Sequence, residues 1–440
     1  MIETLRNAWK VPELRTKILY TLLIIVVYRL GAHLPVPFMD AGALREMVDT
    51  TGSMLGFLNN LTGGAFANAT LFAMGISPYI TSSIVIQLLT VAIPALERMS
   101  KEGEAGRKKI TQITRYTTLG LALIQSIAYY ILNRNMGALM YRDGFAGTFT
   151  AVVIVLSFTA GALLIVWLGE SIDRKGMGNG ISIILFAGII SRGPDLIRSF
   201  WIYWNMALEG ETQYFIIMPL IVILFLAMIA AIVLMTNAER RIPIQYAKRV
   251  VGRKMYGGQS SYIPVKVTMS GVMPVIFASA LLSIPGMIRG FIDPGKTRFL
   301  NPEGGFNIIG HLFNAFEYTS PFYAIFYLLL IIGFNYFYVA IQYNPVQMAN
   351  DLRKNSGTIP GIRPGKPTSE FISKVIGKIT LVGALFIAAV AVLPILLGSV
   401  AKINIALGGT SLIIVVGVAL DTVRQLESQM MMRHYKGFLE

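Results

Sequence analysis

The chain has 440 residues, of which 54% are hydrophobic and 14% charged, with a formal net charge of +15 and no cysteine. An average soluble domain is about 25% charged, so this composition excludes an ordinary soluble enzyme or binding module and predicts a multi-span membrane protein. The missing cysteines exclude disulfide frameworks and thiolate metal sites.

Residues 1–17 are polar, without the apolar core and small-residue cleavage site of a signal peptide, so none is expected. Ile2, Leu5 and Trp9 recur at i, i+3 and i+7, which predicts an amphipathic arm on the membrane surface. Beyond the arm, hydropathy predicts ten spans, near residues 18–37, 69–93, 115–132, 149–169, 179–199, 214–235, 268–288, 319–342, 376–397 and 405–422. The stretch before the second span behaves differently. Met54 to Phe66 carries Asn59, Asn60 and Thr62 and breaks at Gly63-Gly64, so it is too short and too polar to cross about 30 Å of hydrocarbon. A half-length segment followed directly by a full span reads as re-entrant, and irregular backbone at membrane depth is tolerated only inside protein or beside a water-filled cavity. Its amides and glycines mark it as loosely held.

Lys and Arg outside the spans set the topology, because cytoplasmic loops are enriched in them. The N-terminal arm has four, residues 94–114 five, residues 236–267 seven and residues 343–375 five, whereas residues 38–68 hold only Arg45 and residues 398–404 only Lys402. Both termini are therefore expected in the cytoplasm. The second span opens Gly75-Ile76-Ser77-Pro78-Tyr79-Ile80 and the seventh contains Gly271-Val272-Met273-Pro274-Val275-Ile276, the same Gly-x-x-Pro-x-Ile. With five spans per half the equivalent helices run in opposite directions, as in inverted-repeat transport folds; chance is the competing explanation, since Gly and Pro are common in membrane helices. The expected halves are 1–212 and 213–440.

The two largest basic loops carry structure signals of their own. Strand-like alternation over Ile242 to Tyr246 and Tyr262 to Val267 predicts a protruding hairpin around Gly257-Gly258, and Pro360-Gly361-Ile362-Arg363-Pro364-Gly365 frames one arginine between two turns. Topology alone needs no such structure, so these loops are expected to dock onto something anionic. Chemical motifs are missing: His33, His311 and His434 have no metal spacing, and Gly176-Met177-Gly178-Asn179-Gly180 lacks the strand and the Lys-Ser/Thr of a phosphate loop. Arg29 alone among ionisable residues sits well inside a span, while Lys378 and Asp421 are near enough to the ends to snorkel. The cavity lining is expected to be apolar and amide, as at Ile76, Ile80, Gln87, Ile276 and Ile414.

Seven stretches, Gly31 to Pro37, Gly75 to Leu89, Lys101 to Arg107, Gly178 to Ile183, Tyr246 to Arg249, Pro360 to Gly365 and Gly408 to Val415, resemble in order those of the SecY family of protein-translocase channels. The resemblance spans essentially the whole chain. It implies an all-α polytopic membrane protein, a clamshell of ten transmembrane helices in two inverted five-helix halves, with a re-entrant plug and a sideways opening between its second and third and its seventh and eighth helices. By motif, the pore ring would be Ile76, Ile80, Ile181, Leu185, Ile276 and Ile414. Leu185 departs from the isoleucine expected there but matches it in size. The plug would run from about Met54 to Asn68, including Leu55, Phe57, Leu58, Asn59, Asn60, Leu61, Gly63, Gly64 and Phe66. Pro78, Ser83, Gln87 and Pro274 would line the lateral gate, and Arg249, Arg253, Lys254 and Arg363 would receive the SecA ATPase or the ribosome.

The implied setting is the bacterial cytoplasmic membrane, with SecE and SecG as complex subunits, secretory and membrane polypeptides as substrates, and no catalytic residue, cofactor or metal. On the residues alone three functions stay open. A passive protein-conducting channel fits the basic loops; a small-solute secondary transporter fits the broken helix but lacks midplane acids; a membrane enzyme lacks any nucleophile, base or metal constellation. Periodicity alone would also assign the isoleucines to ordinary core packing.

Overall fold

The computed structural model describes residues 6, 8–42, 44–45, 59, 62–209, 213–246, 249–251, 254–256, 260–291, 315–316, 320–401 and 408–436, and each expected span falls on one or two of its helices. The first half contains α1 (Pro12–Gly31), α2 (Ser77–Ala92), the short α3 (Pro94–Lys101), α4 (Glu104–Met136), α5 (Gly144–Lys175), α6 (Gly180–Ile190) and α7 (Gly193–Leu208). The second contains α8 (Gln213–Asn237), α9 (Met273–Phe291), α10 (Pro321–Gln342), the short α11 (Pro345–Lys354), α12 (Lys366–Ala401) and α13 (Gly409–Lys436). Among the described residues six stretches are long and apolar enough to cross a membrane unaided: Gly144–Lys175, Gly180–Leu208, Tyr214–Asn237, Pro321–Lys354, Lys366–Leu397 and Gly409–Met431. The remaining spans depend on their neighbours. α1 carries Glu13, Arg15, Lys17 and Arg29, α4 opens with Arg107, Lys108 and Lys109, α2 has 16 residues, and α9 contains Pro285.

Local chemistry sets the breaks. Pro94 has no N–H to continue α2 and holds Ile93 extended (φ −107°, ψ 114°), so α2 and α3 meet at 100°. Three expected boundaries shift. The first span is Pro12–Gly31 rather than 18–37, and the arm before it does not simply lie on lipid: Ala8 is buried with Leu14 against Met177 and Leu426. Ile2 and Leu5 are outside the described residues. The second span becomes helical only at Ser77, because residues 62–76 form turns. The fifth is interrupted at Ser191-Arg192 between α6 and α7.

The connections sort onto two faces. On one, Met177 N–H donates to Thr21 Oγ1 at 3.0 Å, and Arg424 Nη2 donates to Thr236 O and to Asn237 Oδ1, both at 2.8 Å. This face gathers the N-terminal arm, the 236–267 loop and the end of α13. On the other, Pro35 pairs with Thr70 and Met39 with Leu139 in isolated bridges. Gly75 (φ 54°) and Gly271 (φ 61°) both take the left-handed conformation, and α2 and α9 both begin two residues later. Since α9 starts on the first face and α2 on the second, the two copies of the motif run in opposite directions, as an inverted repeat requires.

The basic loops fold together. β1 (Glu239–Tyr246) and β4 (Ser260–Lys266) form the expected hairpin, which contains a second, inner hairpin of β2 (Arg249–Val251) and β3 (Lys254–Tyr256). Gly257-Gly258, where the turn is expected, lie outside the described residues. β5 (Gly357–Thr358) from the other loop joins β1 antiparallel, giving the order β4-β1-β5. Alternation in β1 turns Ile242 and Ile244 inward, onto Val265, Val339, Leu352, Ile359, Ile372 and Ile376. This small core sits where the ends of α10 and α12 meet the sheet, and both loops share it. Ile359 is 4% exposed within it, so Ile359→Ala should destabilise it by about 2–5 kcal/mol. Limited proteolysis should then cut both 236–267 and 343–375 while the spans stay protected; cutting confined to one loop would show that the two do not share a core.

Candidate functional site

Residues 62–76 are irregular yet satisfied. Asn59 Oδ1 accepts from Ala67 N–H at 2.9 Å, Thr62 Oγ1 from Phe66 N–H at 3.2 Å, and the Phe66 carbonyl from Tyr129 Oη of α4 at 2.6 Å. Phe72, 1% exposed, stacks on Tyr28 of α1 with ring centroids 5.7 Å apart. Closeness is possible because Gly31 and Gly161 have no side chain: a Cβ would stand 2.1 Å from the Phe72 ring and 2.0 Å from Leu71 O, respectively. Of the expected plug residues, Asn59 and Phe66 are buried and Gly63 and Gly64 turn the chain at φ 65° and 88°. Met54, Leu55, Phe57, Leu58, Asn60 and Leu61 lie outside the described residues. The expectation of a loosely held segment is corrected for this part, since Asn59 and Thr62 serve as internal struts.

Directly after this segment, apolar side chains from four helices converge. Ile76 and Ile80 at the start of α2, Leu185 of α6, Ile276 of α9 and Ile414 of α13 are buried in one cluster, with Ile181 of α6 half-buried against it. Ile76 precedes the helix proper, but Ile80 N–H still donates to its carbonyl at 3.0 Å, so the two stack on one face. The glycine-rich run before α6 serves packing: Asn179 Oδ1 caps the helix by accepting from Ser182 N–H at 3.1 Å, and a Cβ at Gly180 would stand 1.9 Å from Gly169 O of α5. None of these six side chains offers an ion a ligand, and among the described residues no three His, Cys, Asp or Glu gather to hold a metal.

Around this centre α9 packs against α2 and α4. Pro78 and Pro274 are buried in the first turns of α2 and α9, and Ser83 and Gln87 are half-buried. Polar contacts between helices fall on residues the sequence did not single out. Ser82 donates to Thr114 O of α4 at 2.8 Å, Ser270 to Asn335 Oδ1 of α10 at 2.6 Å, and Tyr327 and Thr410 bond α10 to α13 at 2.8 Å. Arg115 of α4 makes two parallel bonds to Glu170 of α5, at 2.6 and 2.5 Å. That pair had a signal: opposite charges ending adjacent antiparallel spans on the same side.

Of the basic residues, Arg249 opens β2 and Lys254 opens β3, while Arg253 lies outside the described residues. Arg363 is exposed. Its backbone is held by Thr368 Oγ1 donating to its carbonyl at 2.8 Å, and Ile359 and Ile362 before it pack on the core beneath the sheet.

Residues 70–423 match the SecY family model. The protein translocase subunit SecY of Streptomyces coelicolor is 43% identical over 452 residues, covering 100% of both chains. Among solved structures, one concerning the plug domain of SecY and its stabilisation of the closed channel superposes with a TM-score of 0.65 at 19% identity, over 94% of this chain and 92% of that one. An idle yeast complex bound to the yeast 80S ribosome superposes with a TM-score of 0.59 at 16% identity, over 92% of this chain and 88% of that one. At those identities the structures establish the shared fold, a multi-pass helical clamshell, while full-length identity to a curated relative establishes kinship. The chain belongs to the SecY family.

Proposed function

We propose that Ile76, Ile80, Ile181, Leu185, Ile276 and Ile414 form the constriction of a protein-conducting channel, closed from outside by the segment Met54 to Asn68. One observation carries the reading: these side chains reach a single buried apolar cluster from helices of both halves, 1–212 and 213–440, beside a buried non-helical segment. A secreted chain presents every kind of side chain, so its passage cannot rely on recognising one. A ring of branched apolar groups closes by dewetting, adapts to varying width and binds no ion. The contacts of α9 with α2 and α4 would be the lateral gate, with Pro78, Ser83, Gln87 and Pro274 along the seam, through which an apolar signal or membrane helix leaves for lipid. The protein moves substrates without catalysing a reaction on them.

The membrane would be the bacterial cytoplasmic one, with both termini and the shared sheet on the cytoplasmic side, where the Lys and Arg of the large loops lie. Arg249, Arg253, Lys254 and Arg363 would receive the ribosome or the SecA motor, and SecE and SecG would complete the complex. A rigid tip supports this assignment: charge presented from a fixed loop loses less entropy on docking than charge on a floppy one.

Three outcomes follow from this reading. Because the chain has no cysteine, an Ile80→Cys channel should form a disulfide with a cysteine in a stalled secretory chain; capture equally efficient from a lipid-facing position such as Leu23 would remove Ile80 from the path. Ile276→Asn places an unpartnered amide in the closed ring at a cost of roughly 1–3 kcal/mol, raising the open fraction about fivefold or more. Resting ion conductance and export of weakly apolar signal sequences should rise together, and a change in neither would dismiss the ring. Arg363→Glu should weaken motor or ribosome binding by roughly two- to tenfold, an effect that shrinks as salt rises; membrane insertion should be normal, and binding unchanged at low salt would rule out this tip.

A further inference from the structure

Gly417, Asp421 and Arg424 recur at i, i+4 and i+7, so they share one face of α13. That face follows both legs of the hairpin formed by β1 and β4. On the leg leading to α9, a Cβ at Gly417 would stand 2.4 Å from Val272 Cγ2, and Asp421 lies within electrostatic reach of Lys266 at the end of β4. On the leg coming from α8, Arg424 Nη2 donates to Thr236 O and to Asn237 Oδ1, both at 2.8 Å, while its Nη1 stands 3.8 Å from Asp421 Oδ1. The two legs meet where Val267 N–H donates to Ala238 O at 3.0 Å.

An arginine suits this place for two reasons. The last carbonyls of a helix have no partner within it, and the C-terminal end of its dipole favours a cation. α8 ends at Asn237 and β1 begins at Glu239, so Ala238 alone separates them. With so short a joint the direction of β1 follows the last turn of α8, and Arg424 fixes that turn with two bonds from one nitrogen. The same stretch of α13 is held in turn by the first half: Leu426 packs with Met177 and Leu14, and Lys17 Nζ donates to Gln429 Oε1 at 3.4 Å.

We propose that Arg424 is a positioning residue for docking: it sets the direction in which the hairpin leaves α8, and so the direction in which Arg249 and Lys254 are presented. The small core under β1 holds the sheet against α10 and α12; Arg424 holds its root against α13. A preset direction lowers the entropy lost when a partner docks, and Arg424 itself needs no contact with that partner. This inference rests on reading the hairpin as a docking element.

Two measurements on the full-length protein in lipid nanodiscs test it. Because the chain has no cysteine, spin labels can be placed at Ser261→Cys, exposed on β4, and at Tyr116→Cys, exposed on α4. The distribution of distances between them should broaden about twofold in Arg424→Met, which keeps the aliphatic stem and loses both bonds. It should narrow again in Arg424→Lys, which keeps a cation at the helix end, and broaden less in Asn237→Ala, which removes one of the two acceptors. Apparent affinity for the SecA motor, titrated through its ATPase activity, should fall by roughly three- to tenfold in Arg424→Met, with the maximal rate at saturating motor unchanged. An unchanged distribution in both Arg424→Met and Asn237→Ala would overturn the proposal, as would a fall in the maximal rate with affinity unchanged. So would a broadened distribution with affinity unchanged, if Arg249→Glu still weakens binding. Affinity unchanged in Arg249→Glu as well would remove the docking reading, and the inference with it.

Discussion

The structure depends on one constraint: non-helical backbone placed at membrane depth must find its hydrogen bonds inside the protein. Residues 62–76 meet it through a dense local network. Leu71 N–H reaches Leu34 O at 2.8 Å, the Ala69 carbonyl takes Val36 N–H at 3.1 Å, and Thr70 N–H reaches Ala65 O at 3.2 Å. α1, α4, α5 and α6 stand around this segment and supply what it cannot, including the Tyr129 hydroxyl.

Helices in lipid gain little from burying apolar groups against one another, so close backbone approach has to substitute. Small residues sit at such contacts. A Cβ at Gly383 of α12 would stand 2.3 Å from Val267 O at the root of the hairpin, and one at Gly409 of α13 would stand 2.1 Å from Val390 O of α12. The Gly383 contact, together with Ser270 bonded to Asn335, ties the base of the sheet to α12 and α10.

Polar side chains divide the same way. Those between helices, Ser82, Ser270, Tyr327 and Thr410, are paired and hold helices together. The cluster where α2, α6, α9 and α13 meet contains none of them, and the six side chains at its centre pack by shape and dispersion.

Much of this was legible in the residues. Hydropathy located ten spans, the polar half-length segment before the second announced a re-entrant element, Lys and Arg counts separated the faces, and alternation in residues 242–246 and 262–267 predicted the hairpin. All of these are local patterns, set by period, length and charge. Tertiary structure decided what depends on residues far apart in sequence: that β5 joins the two basic loops into one sheet, that Asn59 and Thr62 are struts, that Ser82 and not its neighbour bonds to α4, and that the fifth span breaks at Ser191-Arg192. Asn59 reads as polar and therefore exposed until Ala67 N–H is seen to satisfy it. Arg29 shows the limit most clearly: the sequence places a charge inside a span, but only the structure puts it in the last turn of α1 with its Nη1 buried beside Gly63.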